Sequence, residues 1–451
     1  MVQGLGRRRD RVSVAAVLTV VLAALASGLL GTLAQAASWH LDTAFGKRGV
    51  AGLPVREGGF EHFYAPGPGA QGSLLASGPN GSVFVGGFAH SRPGAFLLAR
   101  MSAQGKLVAG FGHGGVITVP AIYARPEHPP RMFALGGGAL LVVGLNRTHE
   151  LVVVRLSADG QPDRAFGHGG VAEYTLANTR GHAIIAGASL EVGGDILIGY
   201  FRSEVPQPSN EPAITYGLGA GPLELVRLLS SGGLDPSFGS AGFLTAGGPP
   251  PETGEGVACD VTIANSGSVL LAYEQAFLPS GKGLESPAVQ ELGPTGADAP
   301  GFGDAGIAYL SSPPVVEGVD SIVCGGLFAL ANGEVEASFG GGGELFRFTS
   351  AGLPNPAFGS SGHTSSNRRV VDLALGANGE TFALGSIDPL IVVGTLASGT
   401  PDPGLGGNAG MRFPVKLARS PRGEEHPVVE LLPVDGGLDL LVGESLVRLK
   451  G

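Results

Sequence analysis

One short element constrains this chain more than any other. Leu-Asp-x-x-Phe-Gly-x-x-Gly-Val, first seen at Leu41 to Val50, returns with variation around Phe111, Phe166, Phe238, Phe302, Phe358 and Leu405. Self-similarity of this kind is the signature of a repeat architecture, because no single unit can bury its apolar face alone. Three residues before the aromatic stands Asp42, Asp163, Asp235, Asn355 or Asp402, with Val108 and Ala299 in the other two copies. An Asp or Asn there can accept a backbone N–H two residues on and cap its own turn. The Phe reads as an apolar plug between neighbouring sheets. Gly follows four residues after the aromatic in six copies, and the seventh has Ala409 with Gly410 beside it, a slip of one position.

Two further segments recur between these motifs. One is a hairpin, Leu74-Leu75-Ala76 and Val83 to Gly87 around Pro79-Asn80-Gly81, with counterparts such as Val261 to Ala272, Leu373 to Gly385 and Leu431 to Gly443. The other is a strand before the motif, Leu97 to Met101, returning as Val153 to Leu156, Leu225 to Leu228, Leu345 to Phe348 and, at the C-terminus, Leu446 to Leu449. Each unit therefore holds about four short strands, and no stretch has helical apolar periodicity. Spacing between aromatic positions runs from 47 residues (Phe358 to Leu405) to 72 (Phe166 to Phe238). Seven four-stranded units of this length predict an all-β, seven-bladed β-propeller. In this frame the strand after Phe-Gly is the first of its unit, and Asp-x-x-Phe-Gly is the link between units. The repeat begins at this link and ends on the strand that precedes it, so the terminal strands are expected to pair and close the ring, leaving no open sheet edge.

Composition agrees with many strands and tight turns. The 79 Gly and 33 Pro make up about a quarter of 451 residues, yet 43% are hydrophobic and only 15% charged, the reverse of a chain unable to bury a core. A net charge of −10 argues against nucleic-acid binding, which needs Lys and Arg in excess. Residues 1–36 read as a Sec-type signal peptide: Arg7, Arg8, Arg9 and Arg11, an apolar run from Val12 to Leu33, then Ala34-Gln35-Ala36. Residues 37–451 are then the propeller, secreted or at the cell surface, with an uncleaved anchor as the alternative. Cys259 and Cys324 either pair or serve as small buried apolar groups.

Taken together, Leu-Asp-x-x-Phe-Gly-x-x-Gly-Val, a hairpin with an Asn-Gly-type turn and an Ala-Arg-Leu strand resemble the delta-60 repeat of bacterial extracellular proteins. The resemblance covers nearly all of the chain after residue 36. It implies a secreted or surface propeller-like module and brings no catalytic residues to transfer.

Binding residues in repeat folds concentrate where loops vary over a regular scaffold. The short turns and the Phe-Gly motifs share one end of the strands, whereas connectors such as Arg56 to Gly69, Ala121 to Pro130 and Arg419 to Pro427 share the other. The candidate binding face lies at that second end: Glu57, His62 and Tyr64; Tyr123, Arg125, Glu127, His128 and Arg131; Arg180 and His182; Arg368 and Arg369; Arg422, Glu424, Glu425 and His426. His113 and His168 share one slot in adjacent copies, but a turn role is the better reading there than a metal pair. One Asp per copy does not supply the six to eight oxygens that Ca²⁺ wants. No phosphate loop, G-x-S-x-G elbow or H-E-x-x-H occurs, so no catalytic residue, cofactor or metal is assigned. The expected function is a monomeric, non-catalytic binding or scaffold module for an extracellular protein, glycan or wall polymer. The alternative is an extracellular lyase, hydrolase or quinoprotein-like oxidoreductase acting at the channel mouth.

Overall fold

A computed structural model describes residues 39–53, 60–61, 74–89, 94–124, 129–176, 182–203, 223–246, 257–277, 285–310, 325–339, 343–365, 370–387, 390–412, 429–442 and 445–451. They form seven antiparallel sheets, each a meander of four strands, arranged as a seven-bladed β-propeller. The first strands of the blades are Leu75–Ser77, Arg131–Ala134, His182–Leu190, Val257–Ile263, Gly326–Ala329, Val370–Leu375 and Val429–Val434. They surround a central channel to which all seven blades contribute.

Closure follows the expectation. Blade seven takes its first three strands from Val429–Val434, Gly437–Val442 and Ser445–Lys450. Its outer edge is supplied by His40–Leu41 and Val50–Gly52, with His40 opposite Lys450 and Val50 opposite Val447.

The strand frame read from the sequence is corrected by one position. The strand after each Phe-Gly pairs with the strand before it, as Val116 does with Ala99 and Val171 with Val154. The motif is therefore the turn between the third and outer strands of one blade, not the link between blades. A glycine-rich turn this tight reverses the chain within its own sheet, so the outer strand cannot reach the next one.

The turn chemistry is as read. The carboxylate or amide oxygen of Asp42, Asp163, Asp235, Asn355 and Asp402 accepts the N–H two residues on, at 3.0, 3.1, 2.9, 2.9 and 2.7 Å. Phe45, Phe111, Phe166, Phe238, Phe302, Phe358 and Leu405 are all buried, none more than 1% exposed. Glycine is required after the Phe. At Gly303 (φ +56°) a Cβ would stand 2.1 Å from the Ile307 carbonyl oxygen. Gly410 leads into the outer strand Met411–Arg412 as Gly115 leads into Val116–Tyr123, so the glycine of the seventh copy has slipped by one residue.

Two ladders tie neighbouring blades together, one at six of the seven junctions and the other at five. The Phe-Gly N–H donates to a turn carbonyl of the following blade: Gly46 to Gln104, Gly112 to Asp159, Gly167 to Ser231, Gly239 to Thr295, Gly303 to Ala351 and Gly359 to Ser398, at 2.7–3.0 Å. Beside it, arginines of the third strands reach the same turns. Arg100, Arg155, Arg227, Arg347 and Arg448 donate from Nη1 to Ala158, Ser230, Pro294, Ala397 and Ala103. Arg227, Arg347 and Arg448 also lie over the rings of Phe238, Phe358 and Phe45, at 5.9, 4.3 and 4.5 Å. The Arg of the Ala-Arg-Leu strand is thus a blade-to-blade staple.

Candidate functional site

The central channel holds a cavity of about 500 Å³. Its wall is mostly apolar, including Met132, Phe133, Ile263, Phe328, Leu373 and Leu431. Exposure rises toward the hairpin turns along the first strands of blades one, two, four, five and seven: Leu75 and Ala76 are buried and Ser77 exposed, Arg131 and Met132 buried and Ala134 exposed. The cavity therefore opens at the end that carries the short turns.

At its inner end one position of the first strand recurs in every blade, four residues before the one that closes the hairpin. It is occupied by Leu74, Arg131, Gly187, Asp260, Gly326, Asp372 and Glu430. The three carboxylates at this level have a common task. Asp260 accepts Val261 N–H at 2.8 Å and, from the next blade, Leu327 N–H at 3.0 Å. Asp372 accepts Leu431 N–H of blade seven at 2.6 Å. Glu430 accepts Leu74 and Leu75 N–H of blade one at 2.8 and 3.0 Å. Each carboxylate thus satisfies backbone donors that the neighbouring blade would otherwise bury unpaired. Gly187 makes room for this, since a Cβ there would lie 2.7 Å from Asp260 Oδ1.

Arg131 stands apart. Only 4% of it is exposed, yet its Nε and Nη1 have no hydrogen-bond partner among the described residues. Burial pulls its pKa below the ordinary arginine value, opposed by the charges of Asp260, Glu430 and Asp372. Those three sit on blades four, seven and six, whereas Arg131 is on blade two, so charges from four blades act on one another at this level. Burial also acts on the acids. It pushes Asp260 up to about 8 despite its two N–H donors and Arg131. Asp372 is raised well above the usual range by burial and then by Glu430.

Of the residues proposed for the binding face, Arg131 begins the first strand of blade two, next to the cavity-lining Met132, and is itself buried. Tyr123 ends the outer strand of blade one, under the Arg147 guanidinium at 5.0 Å. Together with Asn146 and Thr148 it lines a second cavity of about 820 Å³ between blades one and two. His182 begins the first strand of blade three, opposite Ser203. Glu57, His62, Tyr64, Arg125, Glu127, His128, Arg180, Arg368, Arg369, Arg422, Glu424, Glu425 and His426 lie outside the described residues, as do residues 1–38 and Cys324. His113 and His168 are exposed turn residues whose N–H groups close onto the Val116 and Val171 carbonyls. Sequence reasoning missed Asp260, Asp372 and Glu430. The available signal was an acid at a constant offset before the hairpin turn in three otherwise apolar first strands.

No family model matches the chain, and no curated protein matches it. Among solved structures it is similar to a streptogramin B lyase, at 12% identity over 87% of this chain and 97% of that one, with a TM-score of 0.46. It is also similar to the extracellular domain of a putative one-component system from B. thetaiotaomicron, at 8% identity over 88% and 40%, with a TM-score of 0.41. A puromycin hydrolase matches at 15% identity over 84% and 60%, with a TM-score of 0.37. The propeller itself is read from the strand pairing. Among the described residues no helix is long and apolar enough to cross a membrane.

Proposed function

We propose that the protein is an exported binding module that holds a small ligand in its central channel. The observation that carries this is the cavity of about 500 Å³, walled by apolar side chains from all seven blades. That volume lies within the range of ordinary small-molecule sites. The wall carries few polar groups, and its acids are occupied as fasteners: Asp372 and Glu430 hold the N–H groups of the next blade. The Ser189 hydroxyl likewise accepts the Ile263 N–H at 3.2 Å. A group held this way is a poor proton shuttle, because releasing it would strand a buried backbone donor. That favours retention of a ligand over its conversion. Export rests on the basic, apolar and Ala-x-Ala pattern of residues 1–36 and on the delta-60-like repeat.

A ligand-observed NMR screen of a small-molecule library tests this. Ala134→Trp places a bulky ring at the exposed mouth of the cavity. Hits that bind the native chain and not this variant support the reading. Steady conversion of a hit to a new compound would replace it with an enzymatic one.

A further inference from the structure

The arginines of the third strands share a pattern that blade two breaks. Arg227 carries two acids, Asp235 beside Nε at 3.4 Å and Glu191 on Nη2. Arg347 holds Glu336, and Arg448 holds Asp439 at 2.6 Å from both Nε and Nη2. Glu336 and Asp439 stand directly across the strand pair from their arginines, whereas Glu191 opens the hairpin turn of its blade. In blade one Phe84 stands across from Arg100, which lies over its ring at 5.4 Å. Blade two has an acid at neither position. Leu141 stands across from Arg155. Leu135 opens the turn, its N–H closing onto the Ala139 carbonyl as that of Glu191 closes onto Asp195. Arg155 keeps Asp163 beside Nε at 3.0 Å and donates from Nη1 to Ser230 O at 3.2 Å, and its Nη2 has no partner among the described residues.

A cavity of about 680 Å³ lies at this gap, between blades two and three at the end that carries the short turns. Arg155, Leu135 and Leu141 all line it, and the Arg155 side chain is 32% exposed. We infer that this cleft binds a small aliphatic carboxylate, with the acid group on Arg155 Nη2 and the apolar body against Leu135 and Val192. The ligand supplies the second acid that blade three supplies from Glu191. A carboxylate accepts short, charge-assisted bonds from a guanidinium, as Asp439 does from Arg448. Asp163 does not forestall it, since Arg227 holds Glu191 with Asp235 in the equivalent place. Glu191 also lines the cleft, but its charge is met by Arg227. Val192, 98% exposed, is an apolar lining side chain that an aliphatic body would take out of water. The cleft adjoins the channel at Ala134 and Leu190, which line both cavities, whereas Arg155 and Leu141 line the cleft and not the channel. The inference therefore does not rest on the channel reading.

The test is methyl NMR of the full chain, labelled at Leu and Val, during titration with isocaproate, its primary amide and inorganic phosphate. The expected result is a saturable shift of the Leu135 and Val192 methyls with the carboxylate, and a much weaker response to the amide. Arg155→Met keeps the apolar stem and should weaken that binding about tenfold, the share of one charge-assisted hydrogen bond. Leu141→Glu puts a carboxylate where blade five has Glu336, and should abolish the response by occupying the site from within. Circular dichroism and thermal melting establish that the variants are folded. Should Leu141→Glu fail to fold, Leu135→Glu, which copies Glu191, takes its place with Val192 as the reporter. Saturable shifts unchanged in Arg155→Met overturn the inference, as do an equal response to the amide or no saturable shift in the folded native chain. Phosphate binding as tight as that of isocaproate overturns the ligand class. The channel reading stands or falls separately, because its ligands should bind Arg155→Met as they bind the native chain.

Discussion

The indole Nε1 of Trp39 donates to Oδ2 of Asp402 at 3.1 Å, joining residues 363 positions apart in the sequence. The bond lies at the seam between blades six and seven, where both ladders fail. Blade seven has no covalent turn between its third and outer strands, because the outer one comes from the N-terminal segment. No turn carbonyl is therefore there to receive the Phe-Gly N–H. Among the described residues the Gly406 N–H turns back to Pro403 O instead. The arginine slot of blade six holds Gly394, whose cross-strand partner is Phe382. Trp39 packs edge-on against that Phe382, with ring centroids 5.3 Å apart. One tryptophan replaces two fasteners, which accounts for the degeneracy of the copy around Leu405.

Trp39→Ala should therefore destabilise the ring by about 2 kcal/mol, from lost aromatic burial and one hydrogen bond. Trp39→Phe should recover the packing share only. Urea unfolding gives both values. Hydrogen exchange should quicken first along Leu390–Thr395, the third strand of blade six. Uniform quickening over all blades would show that Trp39 does not act at this seam.

The Arg347–Glu336 pair is the most deeply buried of the arginine staples, with side chains 3% and 0% exposed. Glu336 also accepts the Thr381 hydroxyl of the next blade. Removing one partner leaves the other charge buried, so Arg347→Met and Glu336→Leu should each cost about 3–5 kcal/mol. The double variant should cost clearly less than the sum of the two. Additivity in a double-mutant cycle would show that the charges do not depend on each other.

Leu405 fills in one copy the slot that Phe fills in the other six, and it too is fully buried. Phe302→Leu should accordingly be tolerated at about 1 kcal/mol, whereas Phe302→Ala should cost about 3–5 kcal/mol. Equal losses for the two variants, by denaturant midpoint, would contradict a plug that works by volume.

Asp260 gives the ring a pH dependence of definite sign. Its pKa rises from 3.8 to about 8 on folding, mainly through burial. Between those values the folded chain holds more protons than the unfolded one, so stability falls as pH rises through this window. Asp372 acts in the same direction. Thermal melts of the native chain should therefore drop from pH 5 to pH 9, and Asp260→Asn should flatten that slope. An unchanged slope in the variant would assign the dependence elsewhere.

How much was legible follows from where each determinant lies. The Asp42 and Asp235 turns and the Phe plugs could be read because each is a local device copied around the ring, and the terminal closure because the repeat is cut in mid-cycle. The blade boundary was misplaced because strand order within a sheet depends on which strands pair, and both frames fit the same repeat. Arg131 was singled out as a loop-end candidate, yet its setting was not readable. Asp260, Asp372 and Glu430 occupy the same strand position as it does, but Leu, Gly and Arg fill that position in the other four blades, so the acid at a constant offset is a faint signal beside the motif.

The sequence by itself determined a closed, seven-unit β-ring, since turn residues and apolar strands at a recurring spacing act over a few residues and need no knowledge of distant neighbours. Only the tertiary structure decided that carboxylates from blades four, six and seven would each fasten backbone N–H groups of the next blade around the axis. Ring closure brings equivalent positions of distant repeats to a common axis, and what meets there depends on the sum of the copies rather than on any one of them.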